Sequence, residues 1–508
     1  MTAIAPPPLP DLDALAVGSA WVAGRAGLDA ELPKLRAHAD RETPRLAERA
    51  ARLASPRASV ATVVALLRTI LRFCWFAVLS LAGEGGARGR ARSRGAAGRA
   101  QQLVSAGGPA YVKVGQSIAT AQGILPDEWV EAFAWCRDEV PPMPAGTAEQ
   151  AVQAALGQPL GTLFASFDPV PRAAASIAQV HHAQLHDGTQ VVVKVQRLGL
   201  REQFSSDIRV MALLTAAADR WSKRARMTNV REILPVFAEL VLGELDFRLE
   251  ALNMVHIALA NEDAQLGFVR VPRPIPGMVT ASVLVMERVP GVPYTVAKAA
   301  YGDAVDGGRL LRLAAEGVLE HALMYGVFHG DLHSGNVLVT ENGDISLVDF
   351  GITGRITARE RALLVRLLVA SMQQDSRAQI QTMAEYGALP PEVDLEGAVR
   401  ELERYNAALF EFADSTFEDL DFTLIARQLR AAIGFLVKVG FKTPKELALF
   451  SRNLLYLNGF AAALAPGRHM YGELEALLAH MMGKYPVELT AIMLSALVSP
   501  APDQPTTS

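Results

Sequence analysis

Phe328-His329-Gly330-Asp331-Leu332-His333-Ser334-Gly335-Asn336, followed by Leu347-Val348-Asp349-Phe350-Gly351, decides how the rest of the chain is read. Between the two runs lie Val337-Leu338-Val339, the turn-forming Glu341-Asn342-Gly343-Asp344, and Ile345-Ser346-Leu347-Val348. Apolar run, Asn-Gly turn and apolar run spell a tight β-hairpin. That hairpin holds Asp331 and Asn336 at the start of its first strand and Asp349 just past its second. Two carboxylates and one amide on short rigid strands suit a hard cation. Mg²⁺ takes oxygen ligands and draws part of its shell from phosphate.

Composition sets the frame. The 508 residues are enough for two to four domains, half of them are hydrophobic and a fifth are charged, so the chain is globular. A net charge of −4 gives no global attraction to nucleic acid, and no nucleic-acid partner is expected. Cys74 and Cys136 have no metal-ligand spacing, which argues against a disulfide framework and fits a reducing cytoplasm. Residues 1–10 lack the basic and apolar parts of a secretory signal.

Outward from the hairpin, residues 11–54 show helical periodicity and read as one or two surface helices. Ala58 to Gly83 is the most apolar segment, but Arg68 and Arg72 interrupt it before membrane-spanning length is reached. Arg88, Arg90, Arg92, Arg94 and Arg99 follow in a Gly/Ala background. Two readings stand for 58–99: attachment to an anionic membrane surface, or a packed helix with a solvated basic linker. Gly108-Pro109 opens a helix carrying Lys113 and Gln116, which runs toward Gln122. Helices over Glu128–Asp138 and Ala148–Leu156 flank a Pro-rich connector. Val180 to Leu185, the Asp187-Gly188 turn and Gln190 to Gln196 form a second hairpin, with Val191, Val193 and Val195 on one face and Val192 and Lys194 on the other. Helices are expected over 201–224 and 230–260, a strand over Val283–Glu287, a helix over Arg309–Tyr325, and helices onward to about Leu497. Thr357 and Glu360 make a capping box. Strands first and helices after predict an α+β fold of two unequal lobes around a cleft.

Chemistry concentrates at a few places. Asp331-x4-Asn336 followed by Asp349-Phe350-Gly351 has the spacing of a protein-kinase catalytic loop and metal loop. Lys194 on a valine strand is costly unless a carboxylate meets it. In Glu239–Asn253, read as one helix, Asp246, Glu250 and Asn253 share a face, with Lys194, Lys113 and Mg²⁺ as candidate cations and Glu250 as the partner of Lys194. The run Ala173-Ala174-Ala175-Ser176-Ile177-Ala178-Gln179 stands where a kinase carries glycines over phosphates; taken alone it reads as a short helix. His329 and His333 have helical metal spacing, but glycines place them in a loop without a third ligand, so zinc is not expected and His329 supports the loop.

From about Gly108 to Gln373 these motifs resemble the UbiB (AarF-like) family of atypical, protein-kinase-like proteins. The marks are Lys113-x-Gly115-Gln116, the alanine-rich loop, Val191-Val192-Val193-Lys194, Glu244-x-Asp246 with Glu250, Asp331-x-His333-Ser334-Gly335-Asn336, and Asp349-Phe350-Gly351. The resemblance implies a bilobal kinase-like fold with a helical N-terminal extension packed across the cleft. It implies ATP or ADP with Mg²⁺ as cofactors, Asp331 as the catalytic-type aspartate, Lys194 on the phosphates anchored by Glu250, and Asn336 and Asp349 on the metal. The alanine loop with Glu287 and Val289 completes the nucleotide contacts. Lys113 and Gln116 with Glu244 and Asp246 form a regulatory element hindering entry of a protein substrate. The family role lies in quinone or isoprenoid-lipid metabolism, often at membranes.

The resulting division is 1–100 for a helical, membrane-associating region with its linker, 101–160 for the extension, 161–290 and 291–499 for the lobes, and 500–508 for a tail. Ser334 replaces the family's usual proline, and Gly330 stands where kinases have arginine, removing a docking site for an activation-loop phosphate. Only a short connector joins Asp349 to Thr357, leaving little surface for a peptide. The expectation is therefore an Mg·ATP-dependent ATPase or small-molecule kinase coupled to a quinone precursor or isoprenoid lipid, peripheral at the inner face of the membrane. A nucleotide-switched scaffold for a protein partner is the alternative, and an ordinary protein kinase the third.

Overall fold

Alternating valines build the first sheet. The structure, a computed structural model, describes residues 28–57, 59, 62–67, 95, 97–102, 104, 108–119, 127–138, 142–221, 230–390, 392–413, 444–466 and 470–498. The expected membrane-contacting segment 58–99 lies for the most part outside the described residues, as do Cys74, the end of the Lys113 helix toward Gln122, residues 222–224 and the tail 500–508. The chain divides into two compact units, 28–252 with 272–288, and 253–271 with 289–498.

The first unit is organised by an antiparallel sheet. Its strands are β1 (Ser166–Phe167), β2 (Ala173–Ala174), β3 (Ala178–Gln184), β4 (Gln190–Gln196) and, after β5 (Val269–Arg270) of the other unit, β6 (Pro274–Val279) and β7 (Val283–Glu287). The order is β1-β3-β4-β7-β6, with β2 paired to β3. β3 and β4 are the expected hairpin, its turn closed by Gly188 at φ 89°. Val191, Val193 and Val195 are fully buried with Val283, Val285 and Phe164 beneath Val152 of the Thr147–Leu156 helix. Each such side chain contributes about 1.5–3 kcal/mol of burial free energy. The alanine run is a strand and a turn rather than a helix, because Ala173 and Ala174 pair with β3 and Ala175 N–H donates to Ala178 O at 2.8 Å.

One expectation fails here. Residues 239–253 are not one helix: Val230–Gly243 ends, Glu244-Leu245-Asp246 turns, and Phe247–Asp263 begins anew. Gly243 lowers helix propensity, and the Asp246 carboxylate accepts Arg248 N–H at 3.2 Å, as an N-terminal capping residue does. Phe247 N–H is drawn out to Ala281 O at 3.1 Å. The Leu28–Ala54 helix packs against Val230–Gly243 through the buried Leu35, Ala39, Leu46, Ala50 and Leu53, the repeat of an amphipathic helix.

In the second unit β8 (Val292–Pro293), β10 (Val337–Val339) and β11 (Ile345–Leu347) join β5 in a small sheet of order β5-β11-β10-β8, and β9 (Val327–His329) pairs separately with β12 (Thr353–Arg355). β10 and β11 are the opening hairpin, with Gly343 at φ 74° in its turn. The sequence reading had Phe328-His329 in a loop; both belong to β9, a three-residue strand made by its distant partner. The expected Arg309–Tyr325 helix is α-helical over Gly307–Glu320, then widens to a π-turn over His321–Tyr325 and stops at Gly326, φ 66°. The capping box is present: Thr357 Oγ1 accepts Glu360 N–H at 3.2 Å, and Thr357 N–H donates to the Glu360 carboxylate at 2.7 Å. Among the described residues one helix, Lys445–Leu464, is long and apolar enough to cross a membrane by length and composition. Its Phe450, Leu457, Phe460 and Leu464 are buried within this unit, as in the core helix of a globular fold. The architecture is α+β.

Candidate functional site

In the second unit, hydrogen bonds link His329, Asp331 and Asn336. Asp331 N–H donates to His329 Nδ1 at 3.1 Å, and Asp331 O accepts the Asn336 side-chain amide at 3.0 Å. His329 Nε2–H donates to Val348 O at 3.1 Å, so both ring nitrogens are used. Burial lowers the His329 pKa and outweighs the upward pull of Asp331 and Asp349. The ring is therefore a neutral brace between the two loops, not a metal ligand. Asp349 adopts φ 61°, a left-handed conformation that aspartate tolerates better than most residues. Phe350 is fully buried with its ring edge on His329, centroids 4.9 Å apart. Asn253 Nδ2 donates to Phe350 O at 2.9 Å and Asn253 Oδ1 accepts Arg355 Nη2 at 2.6 Å. Asn253 thus ties the Phe350 backbone to the Arg355 guanidinium, a cation the sequence reading does not name.

Donor chemistry decides whether this set suits Mg²⁺. Asn336 commits its nitrogen to Asp331 O, which leaves the amide oxygen as its ligating atom. Asp349 adds a carboxylate two residues past the second strand of the same hairpin. Oxygen-only donors, few enough to need phosphate oxygens and water besides, fit that ion.

The first unit holds Lys194. Lys194 Nζ donates to both Glu250 oxygens, at 2.7 and 3.0 Å, and both side chains are buried. Glu250 sits in the first turn of its helix, where the helix dipole also favours a negative charge. Phe247 lies under the ammonium, 5.3 Å from ring centroid to Nζ. In the alanine loop, Arg197 Nε donates to Ala175 O at 2.9 Å and Arg197 N–H to Ile177 O at 2.9 Å, fixing the turn from behind. Ser176 is buried. Gln179 is turned inward: its oxygen accepts Met143 N–H at 2.8 Å, and its nitrogen meets His181 Nε2 at 2.7 Å. The Glu287 carboxylate pairs with Arg273, and Val289 is half-buried.

The Lys113-x-Gly115-Gln116 element is read directly in the same unit. Lys113 Nζ meets Glu244 at 2.6 Å, and Gln116 Nε2 donates to Cys136 O at 2.9 Å. A Cβ on Gly115 would stand 2.6 Å from Cys136 Sγ, so only glycine lets the Pro109–Ala119 helix approach this closely. Burial pushes the Cys136 thiol up to about 11, so it stays protonated and inert. Asp246 does not share the lysine. It accepts His38 Nε2 at 2.7 Å and Arg248 Nε and Nη2 at 2.9 and 2.8 Å. Burial pulls its pKa up, but Arg248 and then His38 together hold it below the usual carboxylate value. The sequence reading named neither partner; Arg248 is only two residues away, whereas His38 reaches Asp246 across 208 residues and leaves no local pattern.

The same helix is tied down at its start. Ala110 N–H donates to Asp207 Oδ2 at 3.3 Å, and any Cβ on Gly108 would collide with that carboxylate. Burial raises the Asp207 pKa from 3.8 to about 6. A raised folded value means the stabilisation is present below the unfolded value and lost as pH rises through about 6. Unfolding of the wild type should therefore lose on the order of 3 kcal/mol of stability between about pH 4 and 6 from this group, a slope that Asp207→Asn removes.

Residues 136–383 match the ABC1 atypical kinase-like domain. An uncharacterised Mycobacterium tuberculosis protein is 36% identical over 371 residues, covering 72% of this chain and 74% of its own. A Pseudomonas aeruginosa protein named probable protein kinase UbiB is 31% identical over 376 residues, 72% of this chain and 67% of its own. Among solved structures, the Rv3197–erythromycin complex of M. tuberculosis aligns over 71% of this chain and 93% of its own at 22% identity and a TM-score of 0.42. With its kinase-like α+β fold, the chain belongs to the ABC1 (UbiB-type) family of atypical kinase-like proteins.

Proposed function

We propose that the chain is an Mg·ATP-dependent atypical kinase or ATPase whose nucleotide turnover is coupled to a quinone precursor or isoprenoid lipid. The observation that carries it is the oxygen set of the catalytic hairpin, with Asn336 braced against Asp331 O at 3.0 Å. Mg²⁺, when bound, would neutralise charge on the β- and γ-phosphates. Asn336 and Asp349 would hold it, Lys194 would meet phosphate oxygens from its bidentate grip on Glu250, and Ala173–Gln179 would cover the phosphates. Asp331 would orient the acceptor hydroxyl or water. Positioning and electrostatics would do the catalysis.

Phosphate release measured with and without anionic liposomes carrying a quinone precursor tests this reading. Turnover that rises with the loaded vesicles and falls at least about tenfold in Asp331→Asn supports it. Equal turnover in wild type and Asp331→Asn sinks the catalytic part and leaves a nucleotide-switched scaffold. Residues 58–99 would supply the membrane attachment, so protein lacking the residues before Gly107 should fail to float with those liposomes.

The Lys113–Glu244 pair at 2.6 Å supports a further element of the reading, a gate against protein substrates. Lys113→Ala is expected to raise autophosphorylation severalfold or shift nucleotide preference, read by radiolabel transfer and by ADP against ATP binding. An unchanged ratio removes the gate.

A further inference from the structure

A kinase catalytic loop ordinarily has arginine immediately before its aspartate. Here that position is Gly330, and the structure closes it to any side chain. Gly330 N–H donates to Ile352 O at 2.9 Å, and a Cβ would stand 2.8 Å from Ile352 Cγ2 and 3.0 Å from Ile352 O. An arginine nevertheless reaches Asp331. Arg452, on the Lys445–Leu464 helix and outside the matched segment 136–383, places Nη2 2.5 Å from Asp331 Oδ1. Its own Nε donates to Tyr456 Oη at 2.9 Å, one turn along, which fixes the guanidinium plane. The next residue, Asn453, is fully buried and donates to His329 O at 2.5 Å. Phe450 meets Phe328 edge-on, ring centroids 5.9 Å apart, and Tyr456 lies edge-on to His333 at 6.4 Å. Four side chains of one helix thus engage four residues of the catalytic loop and its strand.

We propose that Arg452 is the positioning residue of Asp331, delivered by this helix from outside the loop. Arg452 holds Oδ1 and sets the carboxylate torsion, so that Oδ2 is the oxygen presented to an acceptor. Oδ2 is 3.9 Å from His333 Nε2, beyond hydrogen-bond reach. An exposed aspartate rotates freely between rotamers; a charge-assisted bond to a rigidly held guanidinium removes that freedom. The inference rests on the proposed nucleotide turnover only for its kinetic readout.

The test uses the full chain. Arg452→Gln should lower kcat for nucleotide turnover by about 10–100-fold while KM for Mg·ATP stays within about twofold, the signature of lost orientation. Arg452→Lys should recover part of that loss, since a lysine keeps the charge without the fork. In an Asp331→Asn background, Arg452→Gln should add less than about twofold, because both act on one carboxylate. Hydrogen exchange at residues 330–336 should quicken in Arg452→Gln. A kcat within about twofold of wild type, or an equal fall in the Asp331→Asn background, overturns the proposal. Should the wild type show no turnover, the functional reading falls instead; unchanged exchange at 330–336 in Arg452→Gln then overturns this one.

Discussion

Glu250→Ala should destabilise the first unit by about 3–5 kcal/mol, the typical cost of removing one partner of a buried ion pair. Lys194 is 6% exposed, and Glu250 receives two hydrogen bonds from its Nζ. Taking the carboxylate away removes both Glu250 hydrogen bonds from a buried positive charge between β3 and β7, on a strand whose other face is solid valine. A chemical-denaturation midpoint well below wild type is the expected reading. The double change Lys194→Met with Glu250→Leu should restore most of the loss, since an apolar pair of similar volume carries no desolvation cost. If the single change leaves the midpoint unmoved, the pair is not holding the sheet to its helix. If the double change is as unstable as the single one, packing rather than charge governs the site. Either variant should lose turnover, so stability and activity part company in the double change.

Asp349→Asn is the second large effect. It should cut Mg²⁺-dependent turnover by about 10³-fold, the scale of several kcal/mol expected when a metal loses a carboxylate ligand. The substitution is well chosen for this backbone. Position 349 sits at φ 61°, and asparagine tolerates the left-handed region as aspartate does. The Gly351 N–H, 3.4 Å from Asp349 Oδ1, can still find an amide oxygen. Folding should therefore survive, and a thermal midpoint near wild type should accompany the kinetic loss. Raising Mg²⁺ should recover part of the activity. A variant with full turnover would take Asp349 out of the metal set.

Much of this was legible in the chain. The Asn-Gly turn fixed the β10–β11 hairpin, and the hairpin fixed Asp331, Asn336 and Asp349 relative to one another, because short-range turn chemistry decides register. The capping box, the valine faces of β4 and the Lys194–Glu250 pair follow from equally local rules or from the cost of a buried charge. The break between Gly243 and Phe247 did not show, since one glycine inside a helical pattern is tolerated and the interruption is enforced by Ala281 and the Arg248–Asp246 clasp. β9 and β12 were missed for a related reason: three residues each, they are strands only because they pair. Arg452 and His38 lie beyond any motif. Each reaches its aspartate from a separate helix, and nothing in the surrounding residues marks it out.

The Asp331–Arg452 contact spans 121 residues, and the neighbouring His329–Asn453 contact spans 124. That separation has a temporal meaning during synthesis. A ribosome adding about 5–20 residues per second needs roughly 6–24 s to travel from the aspartate to its arginine. Throughout that interval the hairpin of β10 and β11 can close, because its own contacts are local. The carboxylate meanwhile waits for a guanidinium that has not been made. A nascent chain halted after Met383 would carry every motif of the matched domain and still lack the brace, so orientation of the aspartate becomes a late checkpoint in the birth of the protein.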